Sequence, residues 1–276
     1  MFQRQLGQLR LARTLVSALL LIFIVFMFEH LVARLTYYPM RYPEGDWQLE
    51  ASAGAQDAWL TTSDRVRLNA WWFPKPGARL ATLFLHGNAG NLTHRIDHAQ
   101  EINSAGSAVL VIDYRGYGKS EGHPSEHGLK LDAEAGYEEL RRLGYSPNAI
   151  IIHGESLGTA VAVDLASHHA AAGLILESPF ASLGAMAGTM VPIAGPLLVR
   201  GFDTESLIKK VHCAVLIMHG DADEVVPFAQ GRSVFAAANN PKEFWAIHGG
   251  HHNDLLFAAG DAYPRRLHSF YNSLTR

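Results

Sequence analysis

The chain has 276 residues, 48% of them hydrophobic, and a formal net charge of −3, so it can bury one large core and has the length of a single α/β domain, which commonly reaches ~250 residues before dividing. No basic run longer than Arg141-Arg142 or Lys209-Lys210 occurs, which leaves a nucleic-acid partner without electrostatic support. The only cysteine, Cys213, excludes an internal disulfide and reads as a small core residue.

The first element is an unbroken apolar run from Leu15 to Phe28, preceded by Arg4, Arg10 and Arg13 and followed by Glu29-His30. The run is shorter than the ~20 residues of a membrane span, but Leu31, Val32, Ala33 and Leu35 extend it, and Tyr37-Tyr38 would sit at the interface. A cleaved signal peptide shares the arginine-bearing start and apolar centre, yet a small-residue cleavage site is missing after Phe28. A buried helix of the domain is disfavoured because the run is apolar on all faces. The expectation is an N-terminal segment, 1–36, carrying a single-pass anchor at about 14–35, and a domain from 37 to 276. The arginines place the N-terminus in the cytoplasm and the domain on the non-cytoplasmic side, periplasmic or lumenal, although Arg34 and Arg41 keep that bias small.

From Asp57 the chain alternates strand and helix. Residues 58–62 and 66–73, separated by Ser63-Asp64-Arg65, predict an antiparallel hairpin. Apolar runs at Ala81–Leu85, Ala108–Ile112, Ile150–Ile152, Gly173–Leu176, Ala214–Met218 and Phe244–Ile247 follow as strand candidates. The clearest helix runs from Ser125 to Leu143, with Leu129, Ala133, Tyr137 and Leu140 on one face. Such alternation implies a mostly parallel sheet covered on both faces, with functional loops at the carboxyl ends of its strands.

The chemistry-bearing residues fall at those ends. Between the strand at Ile150–Ile152 and the small-residue run Thr159-Ala-Val-Ala-Val163 stands Gly154-x-Ser156-x-Gly158, the setting of a nucleophile elbow. Its tight turn requires glycines two residues either side of the serine, and it exposes the hydroxyl at a helix N-terminus that favours developing negative charge. After Ala81–Leu85 comes His86-Gly-Asn-Ala-Gly-Asn91, where such a fold supplies one oxyanion donor, the other being the N–H of Leu157. After Ala214–Met218 come Asp221 and Asp223, and after Phe244–Ile247 come His248, His251 and His252. The order Ser, Asp, His is that of α/β-hydrolases.

Taken together, the sequence resembles the α/β-hydrolase superfamily, and within it a membrane-anchored branch in which an N-terminal span and a Tyr-Tyr-Pro segment precede a compact serine hydrolase domain of the serine aminopeptidase and lysophospholipase type. The resemblance covers residues from about 37 to the end. It rests on His86-Gly-Asn-Ala-Gly-Asn91, Asp113-Tyr-Arg-Gly-Tyr-Gly118-Lys-Ser120, Gly154-Glu-Ser-Leu-Gly158, His219-Gly-x-x-Asp223-x-x-Val226-Pro227 and His252-Asn253-Asp254. The family pattern selects Asp223 over Asp221 and His252 over His251. It implies a triad of Ser156 as nucleophile, His252 as base and Asp223 as its orienting acid, with the amides of Asn88 and Leu157 receiving the oxyanion. It implies no cofactor and no metal.

The same resemblance spans esterases, acyl-protein thioesterases, lipases and aminopeptidase-like hydrolases, so it does not choose a substrate. Residues 180–211 occupy the place of a lid, and they are short and apolar, with Met186, Met190, Ile193, Leu197 and Leu198 among several glycines. A flexible apolar lid suits a small-molecule or lipid-like acyl group, and the first expectation is hydrolysis of a carboxylic ester or thioester. A helix pair that merely caps the core is the plainer alternative. Peptide hydrolysis comes second, because the lid offers only Asp203 and Glu205 to grip a substrate amine. A non-catalytic scaffold binding a partner at the membrane is the third reading, and no triad position is lost in its favour.

Other motifs are weaker. Gly118-Lys119-Ser120 is not the end of a phosphate loop, because position 113 is aspartate, and no G-x-G-x-x-G follows a strand. His94 and His98 have ligand spacing but no third partner and read as a solvated helix face. His168-His169 suits the C-terminus of the helix after Ser156, and Asp113 and Arg115 fix the loop after the fourth strand. The anchor orientation is tested by fusing a reporter to the C-terminus: one that works only outside the cytoplasm should be active, and activity only of a cytoplasmic reporter would reverse the topology.

Overall fold

A computed structural model describes Phe23, Met27 and residues 30–275. Contacts divide the chain into Met1–Tyr38 and Pro39–Arg276. In the first unit residues 30–36 are helical, closed by the Tyr37 N–H on the Ala33 carbonyl at 2.9 Å and by the Thr36 hydroxyl on the Val32 carbonyl at 2.8 Å. Among the described residues no helix is long and apolar enough to cross a membrane. Most of the expected anchor, with nearly all of the run from Leu15 to Phe28, lies outside them.

The second unit is built on eight strands: β1 (Gln56–Thr61), β2 (Arg67–Phe73), β3 (Ala81–Leu85), β4 (Ala108–Ile112), β5 (Ile150–Glu155), β6 (Gly173–Glu177), β7 (Ala214–Gly220) and β8 (Lys242–Ile247). Their order across the sheet is β8-β7-β6-β5-β3-β4-β2-β1. The β1–β2 hairpin is antiparallel and joins antiparallel to β4, and every pairing from β4 to β8 is parallel. Burial explains the sequence pattern. The residues of β3, β4 and β6 are buried throughout, as a strand covered on both faces must be, whereas the edge strand β1 is mostly exposed. Several strands run further than the apolar runs alone indicate: β5 continues through His153 to Glu155 and β7 through His219 to Gly220. Neighbouring strands satisfy that backbone, so pairing outlasts the hydrophobic signal.

Helices cover both faces. On one lie α1 (Ile96–Ser104) and the C-terminal α9 (Ala262–Leu274), whose Ile102, Tyr263, Leu267 and Phe270 join Val109, Ile151 and Ile175 in one core. On the other lie α2 (Glu126–Arg142) and α3 (Leu157–His168). The Ser125 hydroxyl caps α2 by accepting the Gly128 N–H at 3.1 Å, and the face predicted to be apolar, Leu129, Ala133, Tyr137 and Leu140, is buried. Helix α3 is buried on nearly all sides, which its run of alanine and valine permits. Cys213 is half-buried, and burial pushes its thiol up to about 11, where it is inert.

The segment expected to be a lid forms α4 (Leu183–Met190), α5 (Ala194–Leu198) and α6 (Thr204–Leu207). Its glycines serve packing: a Cβ on Gly195 would run into the Ala187 carbonyl oxygen, and one on Gly184 would stand 2.9 Å from the Val199 carbonyl oxygen. These approaches set the two short helices α4 and α5 backbone to backbone. The tip stays apolar and exposed, with Met190 and Ile193 each at 82%. Helices α7 (Phe228–Ala237) and α8 (Leu255–Ala259) follow β7 and the His252 loop, and one further turn of helix, Leu49–Ser52, precedes β1.

The central strands bear the load of this packing. Leu83 on β3 has no exposed surface, and Leu83→Ala should cost about 2–5 kcal/mol, read as a lower denaturation midpoint with an unchanged denaturant slope.

Candidate active site

Ser156 sits between β5 and α3 at φ 50°, ψ −115°, a left-handed conformation that costs a non-glycine residue ~1–3 kcal/mol and must be over-determined by its surroundings. They are crowded enough to do so. A Cβ on Gly158 would collide with the Leu85 carbonyl oxygen, and one on Gly154 with the Gly158 carbonyl oxygen. The Ser156 N–H is held by the Glu177 carbonyl at 2.8 Å. The hydroxyl is thereby presented at the start of α3, whose first N–H, that of Leu157, has no intrahelical partner.

The hydroxyl meets His252. Ser156 Oγ lies 2.9 Å from His252 Nε2, and His252 Nδ1 lies 2.8 Å from Asp223 Oδ2. With Nδ1–H donating to the carboxylate, Nε2 is the acceptor for the serine hydroxyl. The sequence left neighbouring residues as candidates, and the structure pairs them elsewhere: Asp221 with His248 at 2.9 Å and Glu224 with His251 at 3.0 Å, on the exposed rim. The Asp223 side chain is fully buried. Burial pushes its pKa up, but hydrogen bonding from His219 and His252 and the Val226 N–H outweigh that and hold the carboxyl well below the usual range.

Two further contacts of Asp223 were given no role from sequence. The Ser178 hydroxyl donates to Asp223 Oδ2 at 2.9 Å, and His219 Nε2 is 3.2 Å from the same oxygen. The N–H groups of Val225 and Val226 bind Oδ1 at 2.9 and 2.8 Å. The signal that could have found Ser178 is its place at the carboxyl end of β6, between the strands that carry Ser156 and Asp223.

His98 corrects the reading of a solvated helix face. Its helix begins at Ile96 while His94 lies in the preceding turn, and the His98 ring stacks on Phe84 with centroids 5.5 Å apart. His98 and Glu177 help line a small pocket beside Ser156 with Glu155, Ser178 and His252. Glu177 Oε1 accepts from His153 Nε2 at 2.6 Å and from the Tyr263 hydroxyl at 2.5 Å, and Oε2 lies 3.7 Å from His98. Burial works against its charge, yet the His153 and His98 contacts hold its pKa below the ordinary glutamate value. Glu155 is half-buried, and Arg95, 3.0 Å away, and His98 hold its pKa below the ordinary glutamate value against the pull of desolvation. The loop carrying Asn88 leaves β3 next to β5, with Leu85 paired to Gly154. Its Gly87 faces the elbow, so that a Cβ there would be 3.4 Å from Ser156 Cβ. Leu157 and the Asn88 loop thus flank the serine. Among the described residues, the side chains of ligand type that converge are Glu134, Glu138 and His169, none of which lines this pocket.

Residues 76–204 match the family described as serine aminopeptidase, S33. An uncharacterised protein of Mycobacterium tuberculosis is 39% identical over 227 residues, 80% of either chain. The α/β hydrolase domain-containing protein 17B of Xenopus laevis is 34% identical over 233 residues, 82% of this chain and 78% of that one. The chain belongs to the α/β-hydrolase superfamily. Among solved structures, an esterase of Pyrococcus furiosus superposes with a TM-score of 0.71 at 20% identity, covering 86% of this chain and 98% of the esterase. An α/β hydrolase needs its elbow glycines for shape alone. Gly158→Ala should therefore abolish accumulation of folded protein, as read by soluble yield and a cooperative melt, because the obstructing atom is backbone carbonyl and cannot yield.

Proposed function

We propose that the protein is a membrane-anchored serine hydrolase that cleaves a carboxylic ester or thioester of an apolar acyl group. The observation that carries the reading is the continuous contact from Ser156 through His252 to Asp223, at 2.9 and 2.8 Å, on a strained elbow. A serine hydroxyl is a weak nucleophile at its own pKa. In this scheme His252 Nε2 accepts its proton as Oγ attacks the acyl carbon, then returns it to the leaving alcohol or thiol. Asp223 fixes the imidazole tautomer and stabilises the transient imidazolium, a task suited to a carboxyl kept ionised by several donors. The N–H groups of Asn88 and Leu157 receive the tetrahedral oxyanion, each donor contributing ~3 kcal/mol. Water then enters by the same base and releases the acid.

The apolar preference is supported by the lid tip, where Met190, Ile193, Leu197 and Leu198 are all more than 60% exposed, and from Phe180 to Val199 the chain carries no charge. Large apolar groups gathered on a surface serve contact with something apolar, and an acyl chain or the lipid around it meets that description. The apolar run before the domain supports anchoring, with the domain on the non-cytoplasmic side. A peptidase would need carboxylates free to bind a substrate amine. The two beside Ser156, Glu155 and Glu177, are engaged by Arg95 and by His153 and Tyr263, which favours the ester reading. A non-catalytic scaffold would have no use for an intact, buried acid and base.

In a p-nitrophenyl ester series the wild type should hydrolyse butyryl to octanoyl esters and label with a fluorophosphonate at Ser156. Ser156→Ala should lose turnover by 10³-fold or more with an unchanged melting temperature. Ser178→Ala should lower kcat about tenfold by removing one of the groups that hold Asp223 Oδ2 in place. Folded wild-type protein that neither turns over any ester nor labels would refute catalysis.

A further inference from the structure

The motif Asp113-Tyr114-Arg115-Gly116-Tyr117 takes no part in the chemistry above, yet its side chains converge on the loop that carries Asn88. The four successive carbonyls from His86 to Ala89 are each held by a side chain. The Tyr114 hydroxyl donates to the His86 carbonyl at 3.2 Å, His86 Nδ1 to the Gly87 carbonyl at 2.7 Å, and the Tyr117 hydroxyl to the Asn88 carbonyl at 2.7 Å. Arg95 Nη2 donates to the Ala89 carbonyl at 2.9 Å. Arg95 Nε also lies 3.0 Å from Glu155 Oε2, the oxygen that accepts the Gly87 N–H at 3.3 Å. The loop is therefore clamped at one side by two tyrosines and a histidine and at the other by an ion pair that includes the residue next to Ser156.

The clamps are themselves rigid. The Tyr114 and Tyr117 rings pack on His86 with centroids 4.5 and 5.2 Å away. Burial, reinforced by Arg95, pushes His86 down to about 3, which leaves a neutral ring with its proton on Nδ1 for the Gly87 carbonyl. Arg115, next to Tyr114, is fixed by Asp132 at 2.8 Å and Asp64 at 2.7 Å. In a trans peptide the C=O and the following N–H point in opposite directions. Turning the Gly87 carbonyl onto the His86 ring therefore turns the Asn88 N–H away from it, and pinning the Asn88 carbonyl fixes the peptide plane on the other side of the same residue.

We propose that Tyr117 and Arg95 are positioning residues that aim the Asn88 N–H at the developing oxyanion, by holding the carbonyl groups of Asn88 and Ala89. The inference rests on the hydrolase reading, since a donor needs aiming only if an oxyanion forms. It predicts that both act on the transition state and hardly on substrate affinity, because the oxyanion appears only there.

The test uses the full chain in detergent with Tyr117→Phe, which keeps the ring and removes the hydroxyl, and Arg95→Gln. With p-nitrophenyl butyrate, kcat should fall about tenfold in each, the range expected when a donor is displaced and not deleted, while KM stays within twofold. Affinity for an arylboronic acid, which forms a tetrahedral adduct on the serine, should fall by the same factor. Arg95→Lys, which keeps a donor and the charge, should recover part of the loss. Wild-type kcat and boronate affinity in both variants would overturn the positioning role and leave the hydrolase reading intact, as would a rise in KM at constant kcat. A wild type that is inactive and unlabelled by fluorophosphonate overturns both. Should Tyr117→Phe fail to fold, Arg95→Gln decides, because Arg95 is partly exposed and its loss opens no core.

Discussion

The Leu85 carbonyl oxygen stands where a side chain of residue 158 would begin. That approach of the end of β3 to the start of α3 is the constraint from which the rest of the site follows. It forces glycine at 158, bends the chain so that Ser156 takes a positive φ, and sets the His86–Asn91 loop directly beside the elbow. The sheet order then decides what can reach the serine. β5 lies between β3 and β6, and β7 and β8 follow outward. The loop after β3 carries Asn88, the loop after β7 Asp223, and the loop after β8 His252, all at the carboxyl ends of parallel strands where open α/β sheets gather ligands.

The second consequence is electrostatic. Bringing strand ends together also brings Glu155 and Glu177 into register on neighbouring strands, two like charges beside a nucleophile. Either alone would be costly to bury. Arg95 answers the first, and His153, His98 and Tyr263 answer the second, so the floor of the site is charged but paired. Asp223 is treated the same way, with backbone N–H groups on one oxygen and Ser178, His219 and His252 on the other. Strain at Ser156 and buried charge around it are departures from what local propensity favours, and they are concentrated where a functional site would be expected to break those rules.

The strands were legible because a strand covered on both faces must be a run of apolar, often β-branched residues, as at Ala108–Ile112. Ser156 was legible because only glycine tolerates the backbone at 154 and 158. Asp221 against Asp223, and His248 against His251 and His252, could not be separated by residue type, since each offers the same groups within a few positions. Family pattern made the choice, and in the structure the remaining acids and histidines pair with one another at the rim. Ser178 and the Glu177 cluster left no local trace, because their partners come from strands adjacent in space and distant in sequence, whereas His219 stood in the motif with Asp223, four residues on, and only its contact with that carboxylate had to await the structure. His98 was misread for a related reason: its spacing from His94 mimics one helix face, but the helix starts between them and turns His98 inward onto Phe84. Glycine in the lid was ambiguous between looseness and close packing, and in the structure Gly184 and Gly195 sit where α4, α5 and the chain after them approach backbone to backbone.

The account stands on Ser156 becoming covalently acylated during turnover. Acid quenching within the first turnovers of a p-nitrophenyl ester, followed by peptide mass spectrometry, reads this directly. The acyl mass should appear on the peptide containing Ser156 in the wild type and be absent in Ser156→Ala. Ester turnover with that peptide unmodified, or with the acyl group on a different residue, would contradict it.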